Sequence, residues 1–344
     1  MKLRYVLIVV AAVFLAATMA YGEEENRSPT FSIGFFDVSL NGGAMHVDGK
    51  SVMFGNEVHN FLTSITDGRS IENGGWGWSI GGSVGMNTCT PFSDRFWLEA
   101  GYWQVNNELL FTRPATRAGT YYFAPLLTIT DASVGALFNQ IADGDFNDRS
   151  WAIDWNLLAR KDVLSCLGFN FGVLYGVAFY YYNSDYKFGI DGNELGTQLS
   201  VLNNTDVNSF GVGPALGVAV TRDIGCGFWL DARALGKFYY RWNNMDASQL
   251  NSGGLSLGET FDERITFNSN SWDPSVDLKL RLSKALPLGF RVYTEFMADF
   301  QNGLPLPQFA TQKPDLYLGV AERADIQEYN AFIYGFNVGI SKSF

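Results

Sequence analysis

The stretch CLGFNFGVLYGVAFYYY, residues 166–182, constrains the fold most, because its large apolar side chains occupy every odd position from Leu167 to Tyr181. The even positions carry mostly glycine, alanine or polar side chains. A period of two is the pattern of a β-strand, since successive side chains point to opposite faces. A tilted strand crosses a bilayer in about 9–11 residues, which this stretch exceeds. We therefore predict a transmembrane strand whose odd positions face lipid.

The same alternation recurs along the chain, and together with 166–182 it predicts ten strands. The other segments are 76–86, 151–160, 210–220, 228–241, 272–282, 288–300 and 332–344, with weaker examples at 31–40 and 95–104. A soluble β-sandwich would also alternate, burying the apolar face and leaving the charged face in water. The connections and the aromatic residues distinguish the two architectures.

The predicted connections alternate between short and long, as in outer-membrane barrels with tight periplasmic turns and long external loops. The short ones are 88–94, 161–165, 222–226 and 284–287, and the long ones are 41–73, 105–149, 185–206, 242–270 and 302–328. Aromatic residues gather at the loop-side ends of the strands, where an interfacial girdle would lie. They are Trp76, Trp103, Trp151, Tyr180 to Tyr182, Phe238 to Tyr240, Trp242 and Trp272.

These features predict an all-β fold, a closed antiparallel transmembrane β-barrel of about ten strands, with eight to twelve compatible. Closure is required because an open strand edge in hydrocarbon leaves backbone groups without hydrogen bonds. The segment TYYFAPLLTIT (120–130) could add a hairpin to the barrel, or the loop 105–149 could fold inward and narrow the lumen.

The N-terminal segment predicts export. Lys2 and Arg4 precede the apolar run 6–17, and the small residues Ala20 and Gly22, separated by one position, suit cleavage. We expect residues 1–22 to be a signal peptide and 23–344 to form a single barrel domain in the bacterial outer membrane. The net charge of −11 argues against nucleic acid as a partner, because phosphates require a basic surface.

The layout resembles the Legionella major outer membrane protein family, pore-forming barrels also found in chlamydia-like bacteria. The stretches that carry the resemblance are WGWSIGGSVGMNTCTPFSDRFWLEAGYW (76–103), FGVGPALGVAVTRDIGCGFWLDARA (210–234), VDLKLRLSKALPLGFRVYTEFMADF (276–300) and the terminal YGFNVGISKSF. The terminal Phe344 resembles the signal read by the barrel-assembly machinery, although Lys342 departs from the usual apolar residue. The resemblance implies a porin-like or surface role and no catalytic residues.

Charged residues share the inward parity on three successive predicted strands and are the candidate pore lining. They are Asp231, Arg233, Lys237, Arg241, Asp273, Asp277, Lys279, Arg281, Arg291, Glu295 and Asp299. Opposite charges on adjacent strands can pair, so the same residues could instead form a salt-bridged plug. Barrels of eight strands are filled by side chains, whereas aqueous channels belong to 16 strands or more.

The leading functional hypothesis is a porin-like channel for passive diffusion of small hydrophilic solutes or ions. The alternative is a closed structural or surface-adhesive barrel that acts through external loops. We expect contact with outer-membrane lipid and lipopolysaccharide, and a homo-oligomer is compatible with the sequence.

Catalysis, cofactors and metals are not expected. The two histidines, His46 and His59, fall in the first predicted loop, and His46 has Asp48 nearby. The segment DGDFND (143–148) has the alternation of a calcium loop, but Asp148 stands where that loop needs glycine. We expect an acidic external loop there.

Cys89, Cys166 and Cys226 fall near the predicted periplasmic turns, in an oxidising compartment. Cys166 and Cys226 have opposite parity on their strands, so Cys89 with Cys166 is the more plausible pair. Three reduced or capped thiols remain the alternative.

Overall fold

The computed structural model describes most of the chain from Phe36 onward. The described residues are 36–48, 51–59, 64–72, 74–88, 90, 92–111, 120–124, 136–138, 140–194, 197–253, 261–308 and 325–344. Within them lie the strands β1 Phe36–Asp48, β2 Ser51–His59, β3 Ser64–Glu72, β4 Gly75–Asn87, β5 Arg95–Phe111, β6 Thr120–Ala124, β7 Ala136–Phe138, β8 Gln140–Cys166, β9 Phe169–Glu194, β10 Thr197–Gly225, β11 Phe228–Gly253, β12 Phe261–Ala285, β13 Phe290–Gln308 and β14 Asp325–Ser343. No helix in these ranges is long and apolar enough to cross a bilayer.

Ten of these strands form a closed antiparallel barrel, which confirms the predicted fold. Its order is β1-β14-β13-β12-β11-β10-β9-β8-β5-β4, and β4 pairs back onto β1. The first and last strands meet in register from Asp37 opposite Ser343 to Asp48 opposite Phe332. The four remaining strands form a separate sheet in the order β3-β2-β6-β7. The candidate extra hairpin at 120–130 therefore does not join the barrel, because β6 pairs with β2 and β7; residues 125–130 lie outside the described ranges.

The strands present apolar side chains outward, as the alternation predicts. On β10, Leu216 and Val218 are 66% and 56% exposed, whereas Ala215 and Ala219 are buried inside. On β9 the opening stretch behaves in the same way, with Val177 outside and Leu174 fully buried. A surface of exposed leucine, valine and phenylalanine suits hydrocarbon and not water.

An aromatic girdle is present on the outer face of the barrel, but it contains fewer residues than predicted. Phe210 stacks on Trp242 at 5.7 Å between ring centroids, and Trp151 packs on Tyr181 at 5.3 Å. Several residues assigned to the girdle instead point into the lumen and are buried there: Trp103, Tyr180, Tyr182 and Tyr239. Loop-side position was therefore an insufficient criterion, because a girdle residue must also have outward parity.

β4 ends at Asn87 and β5 begins at Arg95, which confirms the predicted short connection 88–94. The other three short connections lie a few residues later than predicted, and 161–165 is part of β8. The hairpin turns are Leu167-Gly168 and Cys226-Gly227, and the third connection is the 3₁₀ turn Pro287–Gly289. Leu167 and Gly168 both have positive φ, at 52° and 78°. Such pairs suit the two-residue hairpin turn, whose twist matches that of the flanking strands.

Most of the predicted loops 185–206 and 242–270 are strand instead. The β9–β10 ladder continues to Glu194 opposite Thr197, and the β11–β12 ladder to Asn251 opposite Phe261. Apolar alternation ends where the strands leave the hydrocarbon, but their backbone hydrogen bonds do not require it. The alternation therefore marked the membrane zone and not the strand ends.

Candidate functional site in the barrel lumen

The predicted charged residues lie on the inner face of three neighbouring strands. Lys237 and Arg241 on β11, Asp273 and Asp277 on β12, and Glu295 on β13 are buried. Asp231, Arg233, Lys279, Arg281, Arg291 and Asp299 share that parity and are half-buried. Their role as a pore lining remains a prediction.

A residue that the sequence analysis missed, Glu99 on β5, is at the centre of the charges. Its carboxylate accepts hydrogen bonds from both terminal nitrogens of Arg233, at 2.7 and 2.8 Å, and from Lys279 Nζ at 3.3 Å. Asn156 Nδ2 donates to the same carboxylate at 3.0 Å. Arg233 also donates to Asp277 at 2.7 Å, and Lys237 lies 3.8 Å from that carboxylate. We call Glu99, Arg233, Lys237, Asp277 and Lys279 the central ion network.

The central ion network joins opposite walls of the barrel. In the ten-strand order, β5 and β12 are five strands apart in both directions, so the contact between Glu99 and Lys279 crosses the full diameter. The side chains of Glu99, Arg233 and Asp277 are 13%, 12% and 5% exposed. A lumen bridged in this way is occupied by side chains at that level.

A second buried cation lies on the loop side of this network. The guanidinium of Arg241 lies 4.9 Å from the ring centre of Tyr180 and 5.0 Å from that of Tyr239. It donates to Gln301 Oε1 at 2.7 Å and lies 3.4 Å from Asp273. The aromatic faces and the carboxylate attract the buried charge, but Nε and Nη1 of Arg241 have no hydrogen-bond partner among the described residues. The side chains of this layer also fill the lumen.

The outer half of the lumen is filled by an apolar core. Its buried members include Met45, Val47, Val105, Tyr182, Tyr186, Phe188, Val207, Met245, Leu304, Leu306, Tyr329 and Ile333. A bulge in β13 between Gln301 and Leu304 precedes two of them, and Gly303 there has φ +72°. A Cβ on Gly303 would lie 2.1 Å from Asp273 Cγ, so glycine is needed for this close approach.

A small cavity remains beside the central ion network. It measures about 80 Å³ and is lined by the charged side chains on one side and by small residues of β1, β4 and β5, such as Asn41, Ser79, Gly81 and Gly101, on the other. This volume holds a few water molecules.

A buried carboxylate, that of Asp148, lies beyond the girdle, outside the membrane-spanning segments. Asp148 Oδ1 accepts hydrogen bonds from Ser150 and Ser184, at 3.0 and 2.9 Å, and Oδ2 accepts one from Asn107 at 3.5 Å. Burial without a cation raises the pKa of Asp148 to about 6. The segment 143–148 is thus part of β8 and not the acidic loop that was expected. Among the described residues no three His, Cys, Asp or Glu side chains converge as metal ligands do.

The two histidines are on strands and not in a loop. His46 is on the outer face of β1, packed between Trp76 and Tyr334 with ring centroids 5.1 and 5.2 Å away. Its Nδ1 lies 3.2 Å from Asp48 Oδ1. His59 is on β2 in the separate sheet.

Cys166 and Cys226 are exposed free thiols at neighbouring turns, so no bond joins them. Cys89 lies outside the described residues. Its predicted bond with Cys166 is not present in this structure, because Cys166 is a free thiol.

Comparisons with known proteins find only distant likenesses in shape, to outer-membrane barrels. No family model matches, and no curated protein matches. Similar solved structures include the outer membrane protease OmpT from Escherichia coli, with 11% identity, 92% of this chain and 99% of that chain covered, and a TM-score of 0.44. The β-domain of the Bordetella autotransporter BrkA has 10% identity, coverage of 90% and 100%, and a TM-score of 0.23. The P. putida toluene transporter TodX has 7% identity, coverage of 92% and 90%, and a TM-score of 0.20.

The expectation that the chain is not an enzyme is corrected by this comparison. It assumed that a barrel with two loop histidines has no catalytic role, whereas one of the similar barrels, OmpT, is a protease. The likeness is too distant to assign that protein's activity here. What is established is the fold, a closed ten-strand barrel of the outer-membrane type.

Proposed function

We propose that this chain is an outer-membrane barrel whose resting lumen is closed to solutes and which acts at the cell surface. The observation that supports the proposal is the contact of Glu99 with Arg233 and Lys279 on the opposite wall. The apolar core above this contact adds a second barrier to hydrophilic solutes. This corresponds to the closed structural or adhesive alternative in the sequence analysis.

The length of the strands supports a surface role. On β9, 13 residues follow the girdle residue Tyr181 before the strand ends at Glu194. At about 3.3 Å per residue and a tilt of about 45°, they reach roughly 30 Å beyond the girdle. Such a rigid extension presents side chains well outside the lipid.

Passive diffusion of small hydrophilic solutes or ions remains a second candidate. The polar cavity of about 80 Å³ beside the central ion network favours it, because a rearrangement of Arg233 and Lys279 would enlarge that space. The resemblance to the Legionella major outer membrane protein family points in the same direction.

Assembly through the last strand is part of the proposal. The backbone N–H of Phe344 donates to the carbonyl of Phe36 at 2.9 Å, so the terminal residue closes the seam between β1 and β14. A residue at this seam is well placed for recognition by the barrel-assembly machinery.

Conductance in planar bilayers tests the proposal. We expect the wild-type protein to give no stepwise current, and Arg233→Ala/Lys279→Ala to stay silent as well, because the apolar core above the bridge remains in place. Arg222→Ala/Lys284→Ala is the matched control, since it removes an arginine and a lysine near the periplasmic turns. Stepwise currents from the wild type would favour the diffusion channel instead.

A further inference from the structure

The outer face of β9–β12 carries a polar surface directly beyond the aromatic girdle. We call it the outer polar patch and define it by Asp185, Asn204, Asp206, Asp246, Ser248 and Arg264. These residues belong to four adjacent strands and share the outward parity of Trp242 and Phe210. The patch therefore continues the membrane-facing surface into the aqueous side.

A row of four asparagines separates the patch from the girdle. Asn208 is opposite Asn183 on one side and Asn244 on the other, and Asn244 is opposite Asn268. Asn183 Nδ2 donates to Asn208 at 2.9 Å, and Asn244 Nδ2 donates to Asn268 at 2.8 Å. These bonds hold the amides in fixed positions, so their remaining donors and acceptors are preorganised.

A shallow surface pocket, largely open to solvent, lies over the patch. Its acidic residues are Asp185, Asp206 and Asp246, and its cations are Lys187 and Arg264. Arg264 Nε already donates to Asp246 Oδ1 at 2.9 Å, so little positive charge is left for an anion. Amide, carboxylate and hydroxyl groups without excess positive charge suit a ligand rich in hydroxyl groups and not a phosphate.

The position of the patch along the barrel axis indicates which ligand it contacts. The row of girdle residues next to the asparagines includes Phe210 and Trp242, whose rings mark the membrane–water interface. A ligand held within the next few residues is at the level of the outer-leaflet headgroups. In a bacterial outer membrane the phosphorylated lipid A disaccharide lies next to the acyl chains, and the core saccharide lies directly above it, at the level of the patch.

We propose that the outer polar patch binds the core saccharide of lipopolysaccharide, with side-chain carboxylates and amides paired to sugar hydroxyls. The site lies on the outside of the barrel and is independent of whether the lumen conducts. The proposed site locates the expected contact with lipopolysaccharide at the saccharide. The apolar band of the barrel by itself would contact only the acyl chains.

The test uses the full-length barrel in detergent and the core oligosaccharide released from rough lipopolysaccharide by mild acid, measured by calorimetry with and without phosphatase treatment. The variant is Asn204→Ala/Ser248→Ala, a cross-strand pair in the patch. The control is Asn106→Ala, an exposed asparagine on the far side of the barrel on β5. The fold of each variant is checked by its β-sheet circular dichroism and heat-modifiable gel mobility.

We expect saturable binding by the wild type, retained after phosphatase treatment, at least tenfold weaker in the patch variant and unchanged in Asn106→Ala. Equal binding by all three proteins would overturn the proposal. Loss of binding after phosphatase treatment would also overturn it, because the ligand would then be the phosphate. Binding of lipid A without any binding of the oligosaccharide would place the contact in the acyl layer and reject the patch. None of these outcomes depends on the conductance experiment.

Discussion

Removal of one charge from the central ion network is the sharpest test of how the lumen is held together. Glu99→Gln keeps the side-chain shape but leaves Arg233 and Lys279 facing a neutral amide. Glu99 and Arg233 are 13% and 12% exposed, so water does little to compensate. Loss of one partner of a buried ion pair costs about 3–5 kcal/mol when the other charge is left without a partner. Asp277 still accepts a hydrogen bond from Arg233 at 2.7 Å, so we expect a smaller loss in the free energy of unfolding, about 1–3 kcal/mol.

The measurement is urea unfolding from lipid vesicles, followed by the fluorescence of the tryptophans. Arg233→Met supplies the second side of a double-mutant cycle with Glu99→Gln. The double variant should lose less than the sum of the single variants, by more than about 1 kcal/mol, because the two single changes remove the same ion pair. Additive losses with Glu99→Gln below about 1 kcal/mol would refute the idea that the bridge across the lumen is formed in the membrane.

Three further predictions concern other parts of the barrel. Because the pKa of Asp148 is raised to about 6, the folded state binds the proton more tightly, so Asp148 should lower stability as pH rises from about 4 to 6. Unfolding measured at each pH should therefore show a smaller loss of stability over this range in Asp148→Asn than in the wild type. Gly303→Ala should lower the free energy of unfolding by more than Gly168→Ala. Both glycines have positive φ, which costs alanine about 1–2 kcal/mol, but only at Gly303 would the added Cβ also collide with a neighbouring side chain. Equal losses in urea unfolding would contradict this. In lipid vesicles, Leu278→Arg should lower the free energy of unfolding by about 2–4 kcal/mol and Leu250→Arg by about 0–1 kcal/mol, since only Leu278 faces hydrocarbon. Similar losses in the two variants would argue against the assigned membrane zone.

The strand count and the membrane zone were predictable because they depend on local alternation. Leu216 and Val218 face outward and Ala215 faces inward, as the period of two requires. The ends of the strands were not predictable in this way. Residues 185–194 and 197–206 pair with one another through backbone groups, and their side chains carry no apolar period.

Only part of the candidate site could be predicted from the sequence. Charges on β11, β12 and β13 stood out because they interrupt apolar strands, whereas Glu99 was a single acid in a weak strand. Its signal was its parity, which places it inward with Gly101 and Trp103. Only the closure of the barrel brings β5 opposite β12, so the partner of Lys279 could not be read from neighbours along the chain.

By itself, the sequence determined that ten segments each have an apolar face and a polar face. This property depends only on the order of residues within one strand and on the geometry of its backbone. Tertiary structure decided what fills the interior: which acid meets which base across the lumen, which aromatic rings turn inward, and how far the walls rise above the membrane. Those outcomes depend on distances between residues more than a hundred positions apart, which are fixed only when the sheet closes on itself.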